Sequence, residues 1–535
     1  MQGAFIFHMD DTNNMKRKTF AIYLLLAACS LLCPAAEPLD IGARRELFVD
    51  DFLIEKLDGV QLRMHHPQPR EVTMRFDQPW EGYAPGYATV FWDDEKGVFR
   101  MYYRATHTPP AFGKKRDSPR RQVTCYAESQ DGLKWTRPAL GLIKFEGSKD
   151  NNIVWDGAGS HNLSVFKDAN PDCPPDARYK AMGRGKPLGD EPSPYEHGLY
   201  FLKSPDGIHW TLVSKKPLIT DGKFDSHNLF FWDSVRDVYR AYYRSPRKPG
   251  SKIPAGRDVR TAVSDDGVTW KKSRMLRYDP GRRGSADSDG KAHQFYTNGI
   301  HPYHRAPHLL LGFPMRYIDR GWTASTGQLP ELRDRKRVAK QLRRTATALT
   351  DTLFMVSRDG VRFHVWPEAF VRPGIQRRGS WFYGDAGIAL GIVETKSTLH
   401  ESAPNELSFY VKENGRIEDP GQLRRHTLRL DGFASLNAPL TGGIAITKPL
   451  MFEGDRLEIN FSTSAGGSLR VEIQNAEGKA LQGFSLDDCD LLYGDQINRA
   501  VTWNKKPDIG DLAGKPVKLL IELKDADLYA FRFAK

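Results

Sequence analysis

Short segments in which apolar and polar residues alternate recur along this chain, and four of them lead into the same turn. Each turn has a serine, an Asp-Gly pair and an aromatic residue three positions after the glycine. Asp-Gly favours a tight hairpin because glycine tolerates positive φ and aspartate hydrogen-bonds the backbone of its own turn. Each copy therefore predicts a hairpin in an antiparallel sheet. The copies are 129–135, 204–210, 264–270 and 357–363.

The spacing of these turns matches a four-stranded unit with variable loops, which predicts the blades of a β-propeller. Each turn joins the third and fourth strands of its blade, and two further alternating segments precede it. Blade 4 has a long insertion, in which the basic segment 331–345 predicts either a helix or a solvated surface segment. In blade 1 the predicted strands are 87–92, 98–104, 122–128 and 133–137.

A fifth blade begins at Gly384 and lacks an Asp-Gly turn of its own. Propellers commonly close by pairing an N-terminal strand into the last blade, and the strand-like segment 45–54 is available for this. We therefore predict five blades over 45–422, closed by the strand around Phe48. Clean alternation and glycine-containing turns over 423–535 predict a small antiparallel β-sandwich. The predicted fold class is all-β, a five-bladed β-propeller followed by a C-terminal β-sandwich.

The segment 1–36 has the pattern of an export signal. A basic cluster at 16–18 precedes an apolar stretch that ends in small residues and is short for a membrane span. We expect a secreted or periplasmic protein with no membrane span. The sequence Leu-Ala-Ala-Cys ending at Cys29 also resembles a bacterial lipoprotein signal, and in that interpretation Cys29 would carry a lipid anchor.

Net charge and cysteine spacing indicate which ligands the protein binds. Lys and Arg number 78 against 66 Asp and Glu, for a formal net charge of +12. In an exported protein this excess favours an anionic ligand over nucleic acid, although a basic surface also serves solubility. The five cysteines lack metal-ligand spacing, so we predict neither a metal site nor a cofactor.

An exported five-bladed propeller with Ser-x-Asp-Gly-x-x-Trp turns and a C-terminal sandwich resembles glycoside hydrolase families 32 and 43. The resemblance spans nearly all of the mature chain, at the level of architecture. It implies hydrolysis of a glycosidic bond in an extracellular polysaccharide or oligosaccharide by carboxylates in the central funnel. The family motifs Asn-Asp-Pro-Asn-Gly, Arg-Asp-Pro and Glu-Cys-Pro are absent. The chain therefore resembles a divergent relative, and catalytic residues cannot be transferred to it by motif.

Three carboxylates lie near the predicted inner openings of blades. Glu81 precedes blade 1, Asp225 precedes blade 3 and Asp385 opens blade 5. Glycoside hydrolysis uses two carboxylates across the scissile bond, so these three residues are the catalytic candidates. The structural alternative for each is to cap a turn.

Polar residues recur at equivalent inner positions. Blades 2 and 3 both open with Ser-His-Asn-Leu, and such groups either satisfy loop backbone or face a substrate, a water or a cation on the axis. Arginines recur at the ends of second strands, where guanidinium groups either form framework ion pairs or bind the carboxylate or sulfate of a uronic or sulfated sugar. The predicted substrate-binding residues are His161, Asn162, His227, Asn228, Asn298, Arg104, Arg184, Arg244 and Arg316.

Two other functions remain open. A sialidase-like hydrolase also combines a propeller with aspartate boxes and arginines, but its box normally has a residue between Asp and Gly that all four copies here lack. A non-catalytic carbohydrate-binding propeller would explain the missing family motifs. Because a binding protein needs no pair of carboxylates in the funnel, their convergence distinguishes it from a hydrolase.

Overall fold

The computed structural model describes residues 37–82, 85–107, 121–185, 195–246, 256–279, 294–342, 345–414 and 420–535. Strands dominate these residues, and the fold class is all-β as the sequence predicts. The basic segment of the blade-4 insertion forms a helix of 11 residues. In the described ranges the helices are Ala324–Gly327 and Leu332–Leu342, with 3₁₀ turns at Pro175–Ala177 and Gly510–Leu512.

Blades 1 to 3 are four-stranded antiparallel sheets whose strands follow in sequence order. The Asp-Gly turns form as predicted. In blade 2, for example, Asp206 Oδ1 accepts the backbone N–H groups of Ile208 and His209 at 2.8 Å. The strands are Gly86–Asp93, Val98–His107, Arg121–Ser129 and Ile153–Trp155 in blade 1; His161–Lys167, Tyr179–Arg184, Leu199–Ser204 and Thr211–Leu212 in blade 2; Leu229–Asp233, Val238–Pro246, Arg257–Ser264 and Lys271–Met275 in blade 3.

The fourth strand of blade 1 differs from the prediction. The segment 133–137 makes a single antiparallel bridge, between Glu128 and Thr136, and Ile153–Trp155 supplies the outer strand. The turn pattern correctly predicts where the third strand ends. It does not predict which segment pairs next, because that choice depends on burial of apolar residues such as Ile153, which is fully buried.

Blade 4 is a sheet of seven strand segments. Its second strand is interrupted after Gly312, and the continuation, Met315–Asp319, pairs with the first half of Ala348–Ser357. The short strand Arg277–Tyr278 adds to its outer edge, parallel to Arg362–Val371. Its segments are Arg277–Tyr278, Gln294–Phe295, His301–Tyr303, Ala306–Gly312, Met315–Asp319, Ala348–Ser357 and Arg362–Val371.

Blade 5 is closed by Gln68–Arg75, which pairs antiparallel with Gln422–Arg429. The prediction that the strand around Phe48 closes the propeller is therefore wrong. Glu46–Leu47 pairs instead with the C-terminal strand Lys518–Ala534, and the Phe48 ring lies 5.6 Å from that of Phe531. Alternation identifies a strand but not its partner. The other strands of blade 5 are Val393–Thr395 and Glu406–Glu413.

The ring of blades is completed between blades 5 and 1. Leu390 and Thr89 form a parallel bridge, and the Leu390 N–H donates to the Ala88 carbonyl at 2.8 Å. The first strands of the blades therefore surround a common axis, and the residues that open them lie around the axis.

The C-terminal domain takes strands from both ends of the chain. Its eight-stranded sheet is built on the long strands Arg456–Gln474 and Lys518–Ala534, and it includes three strands from the N-terminal segment 39–64. That segment therefore lies outside the propeller, although the predicted boundary placed 45–64 within it. Its further strands are Glu46–Leu47, Ile54–Asp58, Gln61–Met64, Ala434–Ala438, Gly443–Thr447 and Asp495–Ala500, beside the parallel pair Leu39–Gly42 and Leu450–Phe452.

Candidate active site

A cavity of about 110 Å³ lies on the propeller axis. Side chains from blades 1, 3, 4 and 5 line it, and they are mostly cationic or aromatic. Asp225 is the sole carboxylate among the described lining residues. The polar and aromatic side chains that line it are Tyr87, Arg104, Asp225, His227, Tyr296, Thr297, Tyr383 and Lys412.

A buried hydrogen-bond network fixes the protonation of His161. Arg104 Nη1 donates to Asn162 Oδ1 at 2.7 Å, so the Asn162 amide NH₂ must point toward the Ser226 carbonyl at 2.9 Å and His161 Nε2 at 3.2 Å. His161 Nε2 is therefore an acceptor, and Nδ1 carries the proton toward Gln122 Oε1 at 2.5 Å. Burial lowers the pKa of His161 to about 4, which keeps this ring neutral at neutral pH.

Asp225 lies between this histidine and two arginines. Its Oδ1 is 3.4 Å from His161 Nε2 and its Oδ2 is 3.5 Å from Arg244 Nη1. Burial alone would raise the pKa of Asp225, but the charges of Arg244 and Arg184 oppose this effect, so the pKa is lowered. The side chain is 40% exposed. Asp225 is thus an ionised carboxylate that a ligand in the cavity can reach.

Arg184 and Arg244 lie beside this carboxylate, and Arg104 lines the same cavity. Arg104 lies over Tyr87, with Cζ 4.7 Å from the ring centroid, and Arg244 lies 5.5 Å from the Tyr296 centroid. Burial lowers the pKa of Arg184, and the Arg244 charge adds to this effect. The Nε of Arg184 is buried and has no hydrogen-bond partner among the described residues. Among the described residues around the cavity, positive charge therefore exceeds negative charge.

Arg257 lies over Tyr296, which lines the cavity, and was not predicted as a site residue. Its Cζ lies 4.5 Å from the Tyr317 ring centroid and 5.2 Å from that of Tyr296. It opens the third strand of blade 3, whereas the predicted arginines lie at the ends of second strands. Tyr87, Tyr383 and Lys412 were missed too, because nothing in their local sequence distinguishes them from framework residues.

Arg316 does not share the position of the other arginines. Its Nε and Nη2 donate to the two oxygens of Asp351 at 2.8 and 2.5 Å, which is a bidentate framework pair. The expectation that Arg316 contacts substrate is corrected by this pairing. Blade 4 differs here because its second strand is interrupted, which directs Met315–Asp319 onto the neighbouring strand.

The two predicted asparagines of blades 3 and 4 hold loop backbone. Asn228 Nδ2 donates to the Phe224 carbonyl at 2.9 Å, and its Oδ1 accepts the Arg244 N–H at 3.0 Å. Asn298 Oδ1 accepts the Ile300 N–H at 3.1 Å. His227 does line the cavity, and burial lowers its pKa to about 4.

Glu81 and Asp385 do not line the axial cavity. Glu81 is wholly buried and accepts hydrogen bonds from Tyr103 Oη at 2.5 Å and Arg137 Nε at 2.9 Å. Asp385 caps a turn, since its Oδ2 accepts the Phe382 N–H at 2.8 Å. Their positions in sequence were close to blade openings, but their side chains point into the framework. The structure therefore brings only Asp225 of the three candidates to the axis.

Among the described residues, no group of three or more His, Cys, Asp or Glu side chains is placed to hold a metal ion. No helix there is long and apolar enough to cross a bilayer.

No protein-family model and no curated protein matches the chain. Similar solved structures include an N-acetylgalactosamine deacetylase from F. plautii in complex with blood group B trisaccharide, which is 14% identical, covers 68% of this chain and 94% of its own, and has a TM-score of 0.39. A fructofuranosidase from Schwanniomyces occidentalis complexed with fructosylnystose is 11% identical, covers 88% and 98%, and has a TM-score of 0.36.

A family 117 glycoside hydrolase from Zobellia galactanivorans is also similar, at 11% identity, with 69% of this chain and 90% of its own covered and a TM-score of 0.35. Glycoside hydrolases are thus among the structural neighbours of this chain. At such low identities and TM-scores they assign no functional residue to it.

Proposed function

We propose that this protein is an exported glycoside hydrolase that binds an anionic saccharide, uronic or sulfated, in the axial cavity. The observation that carries this proposal is that Arg184 and Arg244 share the carboxylate of Asp225, the sole one among the described residues that line the cavity. Partly buried like charges are costly unless a counter-charge is present. A sugar carboxylate or sulfate would supply that counter-charge, and a guanidinium can bind it through two parallel hydrogen bonds.

Asp225 is the group that we propose to act on the scissile bond, as base or nucleophile. Both roles require an ionised carboxylate, and its lowered pKa keeps it ionised. The neutral His161 ring beside it has an acceptor nitrogen, Nε2, at 3.4 Å from Asp225 Oδ1. A water or sugar hydroxyl that contacts both atoms would be oriented to give up its proton.

The aromatic side chains suit a sugar ring. Tyr296 and Tyr383 line the axial cavity, with their ring centroids 5.5 Å apart. Such rings offer apolar faces to the C–H groups of a saccharide while their hydroxyls remain able to hydrogen-bond. The signal-like segment 1–36 supports export in this proposal. The exported protein would be secreted, periplasmic or anchored to lipid at Cys29.

A non-catalytic carbohydrate-binding propeller is the second candidate. It is favoured by the presence of one carboxylate, not two, among the described residues that line the cavity. Such a protein would bind the same anionic saccharide through the same arginines and release nothing.

The test is a screen of the purified protein against neutral, uronic and sulfated oligosaccharides, with binding measured by calorimetry and released reducing ends by a chemical assay. We expect release from an anionic saccharide and a loss of about a thousandfold in kcat in Asp225→Asn, because an essential acid, base or nucleophile is removed. The control is Asp172→Asn, which removes the charge of an exposed aspartate. Binding without release by the wild-type protein would establish the second candidate, and wild-type turnover in Asp225→Asn would exclude Asp225 from the mechanism.

A further inference from the structure

A second cavity, of about 620 Å³, lies between blades 4 and 5 and shares a wall with the axial cavity. The wall consists of Lys412 and the turn 384–387. Lys412 lines both cavities, while Gly384 and Gly387 face the axial one and Asp385 and Ala386 face the other. A single turn of the chain therefore separates the proposed reaction site from the second cavity. The volume of that cavity is typical of a ligand-binding cleft.

Cationic side chains dominate this second cavity. The carboxylates that line it are Asp385, which is committed to the Phe382 N–H, and Glu413. Glu413 accepts hydrogen bonds from Arg377 at 2.6 Å and Arg424 at 2.9 Å, so one carboxylate is shared by two guanidinium groups. We name the set Arg70, Arg372, Arg377, Arg424 and Lys412 the basic groove.

Two arginines of the basic groove are exposed. Arg372 and Arg377 lie on the loop that follows the strand Arg362–Val371, and both side chains are accessible to solvent. Exposed cations held along one side of a cleft are suited to an extended anionic ligand, since each contributes a modest and screened attraction. Because each exposed ionic contact is weak, we expect affinity to come from a long ligand that makes several such contacts at once.

The blade-4 helix fixes the far end of this loop. Arg335 is fully buried in the helix Leu332–Leu342 and donates to the carbonyls of Trp381 at 2.6 Å and Ala346 at 3.2 Å. Its Cζ lies 4.0 Å from the Phe382 ring centroid. The helix insertion thus anchors the residues that lead from the basic groove to Tyr383 in the axial cavity.

We propose that the basic groove binds further anionic residues of the same polysaccharide whose reacting unit lies in the axial cavity. This inference rests on the proposed function, because it takes the axial ligand to be an anionic saccharide. The substrate is then a chain of several charged sugars that passes over Lys412, and the protein prefers long fragments to short ones.

The test compares the double variant Arg372→Gln/Arg377→Gln with the matched control Arg274→Gln/Arg362→Gln, which removes two exposed arginines from the outer strands of blades 3 and 4. The probes are trimers and dodecamers of galacturonic acid and of chondroitin sulfate, with affinities measured by calorimetry. We expect the double variant to lower the ratio of dodecamer to trimer affinity about tenfold, in line with two exposed ionic contacts. The control should leave this ratio unchanged, and thermal melting should show both variants folded.

The outcomes separate the two proposals. If the wild-type protein binds neither trimers nor dodecamers of either series, the proposed anionic substrate is wrong. If it binds trimers but dodecamers no better, or if the double variant matches the control, the axial site stands and the basic groove is only a solvated basic surface. An equal loss for trimers and dodecamers would also overturn the inference, because the two arginines would then act on the axial ligand.

Discussion

The axial cavity and the junction between the two domains are both rich in arginine, but among the described residues the junction is the more balanced of the two. At the junction Arg358, from the fourth Asp-Gly turn, pairs with Glu46 at 2.8 Å and with Asp50 at 3.0 Å. Asp431 likewise pairs with Arg305 at 2.8 Å and Arg45 at 3.3 Å. Each buried carboxylate there has a cation, and both partners belong to the protein.

Among the described residues the cavity is less balanced, because Arg184 and Arg244 share one carboxylate, that of Asp225. Buried ion pairs contribute to specific geometry when every charge is matched, and they leave no site for a ligand. Cations that share one carboxylate destabilise the folded state, and binding of an anion can offset that effect. Arginine by itself therefore says little about function, whereas the local charge balance separates a framework from a site.

The largest expected effect comes from breaking the balanced region. Arg358→Ala removes the cation that pairs with Asp50 and one of the two arginines that pair with the wholly buried Glu46, and should lower the free energy of unfolding by about 3 kcal/mol. Arg184→Ala removes a cation from the unbalanced region and should leave stability unchanged or raise it. Urea unfolding of both variants checks this. A larger loss in Arg184→Ala than in Arg358→Ala would contradict the distinction between the two regions.

Ligand affinity should depend on the arginines of the cavity and not on arginines that form framework ion pairs. Arg244→Ala removes a guanidinium from the cavity and should weaken binding of a uronic or sulfated oligosaccharide about tenfold while a neutral one is little affected, because only the charged ligand loses an ionic partner. Arg316→Ala, at the Asp351 pair, should change affinity for neither. Calorimetry at two salt concentrations checks this, and the anionic affinity should fall as salt rises. Equal losses for neutral and anionic ligands would assign Arg244 to the framework.

The smallest expected effect is that the two regions lose stability in different pH ranges. His161 and His227 bind protons below about pH 6.5 when unfolded but only below about pH 4 in the fold, so their contribution to stability is complete above pH 6.5 and is lost as the pH falls toward 4. Burial would raise the pKa of Glu46, but His308 and Arg358 lower it from 4.5 to about 2, so its contribution is lost only as the pH falls from 4.5 toward 2. On acidification, the contribution of the cavity histidines to the free energy of unfolding should therefore be lost before that of Glu46.

The measurement is the free energy of unfolding against pH for the wild-type protein, His161→Gln and Glu46→Gln. His161→Gln should flatten the profile between pH 6.5 and 4 by up to about 1.4 kcal/mol per pH unit, the limit for one proton. Glu46→Gln should flatten it only below pH 4.5. Identical slopes in His161→Gln and the wild-type protein above pH 4.5 would show that His161 is not held neutral.

The candidate site was predictable only in part. The repeated Ser-His-Asn-Leu sequence led to His161 and Asn162, and the arginines at second-strand ends led to Arg104, Arg184 and Arg244, because equivalent positions in a repeat meet at its axis. Glu81 and Asp385 have the same residue types near the same openings, yet their side chains turn into the framework. Which way a loop side chain points depends on backbone donors and neighbouring blades that are distant in sequence.

The local elements of this protein follow from its amino-acid sequence: the alternating strands, the four Asp-Gly turns and hence the repeated blade. These depend on the conformational preferences of neighbouring residues, which the order of residues along the chain shows. The tertiary fold was needed to establish that Gln68–Arg75 closes blade 5 while Phe48 packs on Phe531. It also decided that Arg316 is matched by Asp351 while Arg184 has a buried, unpartnered nitrogen among the described residues. Strand partners and charge balance are set by contacts between distant segments, where burial and opposite charge choose among locally equivalent alternatives.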